Sequence, residues 1–258
     1  MVEIIMVSVV AFLVAILTFF SGFGLGTILT PVFMLFFPVD VAIALTGVVH
    51  FFNNLFKLIL VGKNADKSVL IRFGIPAVLA ALVGSWLLIN LPNQEPLFQY
   101  VLMDKLFEVF PVKLLIAVLL LLFAMMELIP FFQSLQFSQN KLPFGGFLSG
   151  FFGGLSGNQG ALRTAFLIKA GLSKEAFIGT AVVVSTFVDF TRLSVYSTQF
   201  FDSNILENWP VVLSATTAGI LGSFIGNKLL KKITLHFLQI TVAVMLIVLS
   251  IALGLGWL

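Results

Sequence analysis

Long apolar runs dominate the chain, and their lengths predict helices that cross a membrane. Such a helix needs about 20 apolar residues, because each residue adds about 1.5 Å to its length. Six runs meet this requirement while containing few charges. They cover 41–61, 69–90, 112–130, 174–198, 207–227 and 235–257. The pattern therefore predicts an all-α polytopic membrane protein.

Two further apolar regions are interrupted by glycine-rich polar segments. The region 4–37 is broken at 21–27, and the region 143–172 is broken at 153–160. The arm that follows each break would reach about 16 Å, half of a bilayer core. Each region is either a kinked helix or a re-entrant hairpin that turns near mid-bilayer. The turn of such a hairpin must be buried in protein or line a wet cavity.

The two halves of the chain resemble each other. An offset of 134 residues aligns Gly26 with Gly160, and an offset of 138 aligns the Ala-x-x-x-Gly-Ser segments 80–85 and 218–223. Each half then has a broken-helix or re-entrant hairpin followed by three transmembrane helices. Within a single integrated membrane domain, we predict repeat 1 with its hairpin and first spans over 1–111, a span and connector over 112–142, and repeat 2 over 143–258.

The few charges predict how the halves are oriented. The loops 62–68 and 228–234 are basic, whereas 199–208 is acidic, which indicates cytoplasmic and outer positions, respectively. Three spans separate the first basic loop from the acidic one, so the second broken region must add an even number of crossings. A hairpin satisfies this condition. We therefore predict two inverted-topology repeats with both termini outside.

Other residues near the ends of spans fit this orientation. Lys57, at the inner end of 41–61, is interpreted as an ordinary positive-inside residue. Aromatic residues with a polar group fall at the predicted outer ends of spans and predict an interfacial belt. They are Trp86, Trp209, Trp257, Tyr100 and Tyr196.

Composition excludes several classes of protein. Hydrophobic residues make up 60% of the chain and charged residues 10%, with a mean hydropathy of +1.15. A soluble globular enzyme has about 25% charged residues. A net charge of +3 is too small to predict a nucleic-acid partner. The sequence contains no Cys, no Walker A motif and no H-E-x-x-H motif. We therefore expect a non-enzymatic protein in the lipid bilayer, with no cofactor and no metal.

The glycine-rich breaks are the predicted substrate-binding site. A buried helix N-terminus offers unpaired N–H groups and partial positive charge, which favour an anion. Glycines permit close backbone approach, and polar side chains add donors. Arg163 costs at least ~2.5 kcal/mol in an apolar arm unless it is paired or wet. We favour an anion contact over snorkelling for Arg163. The candidates are Gly24, Gly26, Thr27, Ser156, Gly157, Asn158, Gln159, Gly160 and Arg163.

A second polar set lies within two of the spans and predicts coupling or pathway residues. His50, Asn53 and Asn54 share a face of 41–61 with Lys57. Histidine side chains in general can gain or lose a proton near neutral pH, so His50 is a candidate proton relay, although packing explains a lone histidine equally well. The two asparagines can join helices by hydrogen bonds. Asp189 and Arg192 can pair three residues apart, and a structural ion pair is their simplest interpretation.

These motifs resemble the TauE/SafE sulfite exporter family. In that family a Gly-x-Gly-Gly-Gly-like stretch in each half is followed shortly by Pro. The first copy here is Gly24-Leu25-Gly26-Thr27-Ile28-Leu29-Thr30-Pro31, without the third glycine. The second is Gly157-Asn158-Gln159-Gly160-Ala161-Leu162-Arg163, with Ala165 where Pro is expected. The resemblance covers nearly the whole chain, and it implies transport of sulfite, organosulfonates or related sulfur oxyanions across the bacterial inner membrane.

Three functional hypotheses follow. The first is a secondary transporter that exports a small inorganic or organosulfur anion by alternating access around the hairpin tips. The second is a passive anion channel that uses the same tips as a filter. The third is a membrane scaffold subunit without transport activity, in which the tips would tolerate bulky residues. The sequence leaves open which anion is carried, how transport is coupled, and whether the chain forms a homodimer.

Overall fold

The computed structural model describes residues 1–19, 25–90, 95–133, 137–168, 170–200, 207–229 and 235–257. The helices are α1 (Val2–Thr18), α2 (Leu25–Met34), α3 (Val39–Val61), α4 (Lys67–Asn90), α5 (Pro111–Leu128), α6 (Leu142–Ser156), α7 (Gly160–Leu167), α8 (Lys174–Phe200), α9 (Trp209–Leu229) and α10 (Leu235–Gly254). Short helical turns lie at Gly62–Asn64, Pro130–Gln133 and Gln139–Lys141, and α4 has a π-helical stretch at Leu70–Gly74. The described residues are thus mostly helical, as the all-α prediction requires, with one β-hairpin as an exception.

Four helices within the described ranges are long and apolar enough to cross a membrane. They are α3, α4, α8 and α9. The other two predicted spans also form helices, α5 with 18 residues and α10 with 20. Many outward side chains of these six helices are large and apolar. Examples are Ile59 on α3, Leu79 on α4 and Val248 on α10, each at least 60% exposed. Because water disfavours such a surface, lipid is its natural solvent.

The second glycine-rich region forms a helix, a break and a shorter helix, and the first contains the helices α1 and α2. In the second region the break is narrower than predicted, since α6 continues through Gly153 and Gly154 and ends at Ser156. Gly157 then takes a left-handed conformation with φ +77°, which glycine adopts without the steric cost of a Cβ atom. The first predicted break, 21–27, falls mostly outside the described residues, and α2 begins at Leu25 within it.

The loop predicted between α4 and α5 contains a β-hairpin. Strand β1 (Phe98–Leu102) pairs antiparallel with β2 (Lys105–Val109), with Leu102 opposite Lys105. Met103 and Asp104 form the turn with φ of 51° and 60°. The hydroxyl of Tyr100 donates to the carbonyl oxygen of Leu255 at 2.6 Å, so the hairpin covers the end of α10.

The helices pack in pairs that link the two halves of the chain. Helix α6 packs along α4, and α1 packs along α9. Helix α3 contacts both α8 and α9, and α8 contacts both α3 and α4. Helix α5 lies against α10, while α2 contacts α10 and α7 contacts α5. Helices α3 and α8 therefore lie together at the centre, with the broken regions beside them.

Glycines allow the paired helices to touch through their backbones. A Cβ atom on Gly84 of α4 would overlap the carbonyl oxygen of Phe151 on α6. In the other pair, a Cβ atom on Gly222 of α9 would overlap the carbonyl oxygen of Phe12 on α1. Small residues are typical of close helix packing in lipid, where dispersion contacts hold helices together. These contacts fix each broken region against a long helix of the other half.

Candidate functional site

The central helices α3 and α8 face each other with polar side chains. On α8 Ser185, Asp189 and Arg192 are spaced four and three residues apart, which places them on one face. All three side chains are buried. On α3 His50 and Asn54 lie one turn apart and are also buried. The two faces meet within the bundle.

Asp189 joins the two helices. Its Oδ2 atom lies 2.6 Å from Nδ1 of His50 and accepts a hydrogen bond from Nδ2 of Asn54 at 2.9 Å. Its Oδ1 atom accepts from Nε of Arg192 at 3.0 Å and lies 2.9 Å from Nη2 of the same side chain. Asp189 is fully buried, so its negative charge depends on these partners. The predicted Asp189–Arg192 ion pair is confirmed, and it is one part of a larger network.

The two broken regions meet at this network. A Cβ atom on Gly26 would lie 3.5 Å from the carbonyl oxygen of Gly157 and 3.5 Å from Cδ2 of His50. A Cβ atom on Gly157 would lie 2.7 Å from Nη1 of Arg192. The absence of side chains at these glycines therefore permits Gly26 of α2 to approach Gly157 and His50, and Gly157 to approach Arg192.

Arg163 lies in the first turn of α7 and is 2% exposed, so it does not snorkel to the surface. Its Nη1 atom donates a hydrogen bond to Oγ of Ser185 on α8. Ser185 also lines a cavity of about 10 Å³ together with His50, Asn54 and Lys57. That volume is close to the minimum that holds one water molecule. Arg163 therefore contacts one residue of the cavity wall, Ser185, while Lys57 lines the cavity itself.

Several polar atoms near the second break are buried without a hydrogen-bond partner in the described part of the chain. Buried polar groups are otherwise almost always paired, so these atoms need a partner that the described residues do not supply. They are Nδ2 and Oδ1 of Asn158 and Oε1 of Gln159. Both residues follow Gly157 directly, and both are at least 97% buried.

The other predicted site residues occupy varied positions. Ser156 ends α6, and its Oγ atom accepts from the backbone N–H of Asn158 at 3.3 Å, which supports the break. Gly160 begins α7. Thr27 lies half-buried near the start of α2, and Gly24 lies outside the described residues. Asn53 faces α9 instead of the network, because its Oδ1 atom accepts a hydrogen bond from Ser223 at 2.6 Å.

Two sequence interpretations are wrong. Lys57 is not a surface residue of the inner membrane face, because its side chain is 6% exposed and its Nζ atom lies 5.4 Å from the ring centroid of Phe19. Tyr196 does not belong to an interfacial belt, because it is buried and donates to the carbonyl oxygen of Gly154. The tryptophans of the predicted belt are exposed, at 51–62%.

Sequence reasoning missed Ser185 and Tyr196 as neighbours of the site. The signal was present, because 185, 189, 192 and 196 follow helical spacing along α8. On α3, 50, 54 and 57 repeat the same spacing. A polar stripe this regular in an apolar span indicates a buried face.

We expect the variant Gly157→Ala to weaken anion binding. The left-handed backbone costs a non-glycine residue about 1–2 kcal/mol, and the new Cβ atom would press on the guanidinium of Arg192. Gly171→Ala is the matched control, because Gly171 has φ +75° but its nearest neighbour is Nε2 of Gln139. Thermal unfolding should show similar losses for both variants, with anion-dependent stabilisation reduced only in Gly157→Ala. Equal anion responses would contradict a site at Gly157.

Broken helices that meet at buried charges inside an apolar bundle define an integral membrane protein with a polar centre, the arrangement that membrane transporters use. The family model of the sulfite exporters TauE/SafE matches residues 7–253 of the chain. The chain therefore belongs to the TauE/SafE sulfite exporter family, as its motifs predicted, and its function is transport of a small anion across a membrane. No individual curated protein and no solved structure shows a significant match.

Proposed function

We propose that the protein is a secondary transporter that exports sulfite or a related sulfur oxyanion or organosulfonate by alternating access. The substrate site lies where the two broken regions meet, beside α3 and α8. Arg163 supplies positive charge there, and Asn158 and Gln159 orient the oxygens of the anion. His50 and Asp189 are the residues that couple transport to protons. The protein acts in a bacterial inner membrane with both termini outside.

The observation that carries this proposal is the combination of buried cations with unpartnered buried donors at the second break. Arg163 and Arg192 are each at most 2% exposed, and the amide of Asn158 lacks a partner among the described residues. The N-terminus of α7 adds backbone N–H groups that no earlier turn can satisfy. An oxyanion is the ligand that satisfies both charge and donors.

The packing of the helices supports inverted repeats, one ending with α5 and the other beginning with α6. In this scheme each of α1 to α5 corresponds to the helix five positions later, so that α4 corresponds to α9 and α1 to α6. Replacing each helix by its counterpart turns the packed pair α4–α6 into α9–α1, which is also packed. The same exchange converts α2–α10 into α7–α5, and it leaves α3–α8 and α5–α10 unchanged. The glycine contacts show the same correspondence. Gly84 of α4 lies against Phe151 of α6, and Gly222 of α9 lies against Phe12 of α1 in the same way. Such symmetry lets one set of contacts exchange for the set related to it by the two-fold axis during alternating access.

The close contact of the breaks favours a carrier over a channel. A passive channel needs a continuous wet path, whereas Gly26 and Gly157 nearly touch at the centre. The cavity lined by Lys57 and Ser185 has room for about one water molecule. A transporter closed at its midpoint has this form. A scaffold without transport activity gives no reason for the buried arginines.

Flux in reconstituted vesicles tests the proposal. Wild-type protein should show saturable flux of radiolabelled sulfite, with counterflow against unlabelled sulfite. In Arg163→Gln the flux at low sulfite concentration should fall about 100-fold, because losing one buried charged contact costs about 2–5 kcal/mol. Arg72→Gln is the control, since Arg72 is an exposed arginine on α4.

Other results of the flux measurement would contradict parts of the proposal. Unchanged flux in Arg163→Gln would remove this residue from the site. Conductance without saturation would favour a channel, and no anion flux in the wild type would contradict transport. Thermal unfolding without anion must first show that Arg163→Gln is folded.

A further inference from the structure

A groove with apolar walls lies between α4 and α8, away from the polar centre. Its volume is about 330 Å³, which is within the range of pockets that hold small molecules. The residues that line it are apolar, with six on α4 between Leu70 and Leu79 and three on α8, Val183, Val184 and Phe187. Leu79 and Phe187 are 60% and 57% exposed, so the groove opens on the lipid-facing surface of the bundle.

The backbone of α4 gives the groove its space. The helix is π-helical at Leu70–Gly74, and the wider π-turn comes just before Pro76. Single π-turns inside α-helices are frequent at functional sites. Gly74 ends this stretch without a side chain, and a Cβ atom there would have Cγ2 of Val184 as its nearest neighbour, at 3.5 Å. A glycine at the π-turn thus leaves room between the two helices.

The length of the groove matches one lipid tail. Leu70 and Leu79 are separated by nine residues, or about 13 Å along a helix. One leaflet contributes about 15 Å to the hydrocarbon core of a bilayer. Helix α4 begins at the basic loop 62–68, so Leu70 is near the membrane surface and Leu79 near the midplane. A single acyl chain of one leaflet therefore fits along the groove.

A lysine lies at the surface end of the groove. Lys67 is exposed and precedes Ile71 by one helical turn, so both residues are on the same face of α4. Lys63 is also exposed in the preceding turn. The carboxylate of Asp66 instead caps α4, because its Oδ1 atom accepts from the backbone N–H of Val69 at 2.8 Å. Positive charge at this level attracts the headgroups of anionic lipids.

We propose that this groove binds one anionic phospholipid, with an acyl chain between α4 and α8 and the phosphate of its headgroup at Lys67. The bound lipid packs against the helix that carries Ser185 and Asp189, on the face that Val184 presents to α4. The inference goes beyond the proposed anion transport and does not depend on it, because the site requires only a bilayer around the protein.

Native mass spectrometry of the delipidated wild-type protein tests the headgroup. The probes are phosphatidylglycerol and phosphatidylcholine with identical acyl chains, which differ in net charge. The first phosphatidylglycerol should bind about fivefold more tightly, the effect of one basic residue on an anionic lipid at the membrane surface. Equal affinities, or tighter binding of phosphatidylcholine, would overturn the inference.

A matched pair of variants tests the groove. Val78 lines the groove, whereas Val83 lies on the exposed face of α4 outside the lining residues and is 51% exposed. Val78→Phe should weaken binding of the first phosphatidylglycerol at least about tenfold, because displacing two buried methylene groups has an effect of this size. Val83→Phe should bind like the wild type. Equal lipid affinities of the two variants would contradict a site in the groove.

Lys67→Gln tests the headgroup contact at an exposed position. The preference for phosphatidylglycerol should disappear, while the affinity for phosphatidylcholine stays close to wild type. A preference that survives this substitution would contradict the role of Lys67. Melting temperatures in the same detergent establish that each variant is folded, and Lys67→Gln still tests the site if Val78→Phe is not.

The same mass spectra identify another occupant. A wild-type dimer that Val78→Phe converts into a monomer, with unchanged lipid binding, would assign the groove to a second copy of the chain and overturn the inference.

Discussion

Asp189→Asn should destabilise the protein by about 3–5 kcal/mol, the cost of leaving one member of a buried ion pair without its partner. The substitution keeps the shape of the side chain but removes the charge that Arg192 and His50 contact at 2.9 Å and 2.6 Å, respectively. Because Asp189 is fully buried, water cannot reach Arg192 and His50 at this position to take the place of the carboxylate. Unfolding of the purified protein by denaturant in detergent micelles measures the loss.

Three further variants show whether the effect comes from the charge: Glu175→Gln, Arg192→Gln and a double variant. Glu175→Gln removes an exposed carboxylate from the first turn of the same helix, α8, and should change stability by less than about 1 kcal/mol. The double variant Asp189→Asn/Arg192→Gln removes both charges and should recover part of the stability lost. If the double variant loses as much stability as the two single variants lose in total, the two residues do not interact.

Gly150→Ala should be the second severe change, because it separates two helices that touch through their backbones. A Cβ atom on Gly150 of α6 would overlap the carbonyl oxygen and Cα atom of Ala77 on α4. Backbone atoms cannot move aside as a flexible side chain does, so the helices must shift. We expect a loss of about 3 kcal/mol, at the upper end for overpacked cores.

Gly219→Ala is the matched control for this prediction. Gly219 is also a helical glycine, on α9, but a Cβ atom there would have its nearest neighbour, Oδ1 of Asn53, at 4.0 Å. Alanine favours a helix over glycine by about 1 kcal/mol, so this variant should be neutral or slightly stabilised. Denaturant unfolding compares the two. A stable Gly150→Ala protein would show that α4 and α6 are not held at backbone contact.

Much of the fold could be predicted because it depends on local composition. The lengths of the apolar runs predicted the helices that became α3, α4, α5, α8, α9 and α10. Glycine clusters predicted two breaks, and Gly157 takes the left-handed conformation that explains one of them. The β-hairpin at 98–109 was missed, because it is short, largely exposed and flanked by the polar residues of a loop.

The candidate site was predicted less completely. Arg163, Asp189 and Arg192 were recognisable because charged residues are rare inside apolar spans. Lys57 was misassigned, because a lysine near the end of a span has the same sequence appearance whether it snorkels or lies buried. Tyr196 was misassigned for the same reason, since its position in α8 fits either an interface or a packed core.

By itself, the sequence determined the solvent of this protein, the positions of its helices and the place where the second glycine-rich region breaks. These properties depend on the length of apolar runs and on glycine, both of which act locally. Only the tertiary structure decided which faces of α3 and α8 meet, and therefore that Lys57, Arg163 and Asp189 belong to one centre. The physical reason is that lipid is as apolar as a protein core, so hydrophobicity does not tell a helix which face to bury. That choice is made by backbone contact at glycines and by the pairing of a few buried charges.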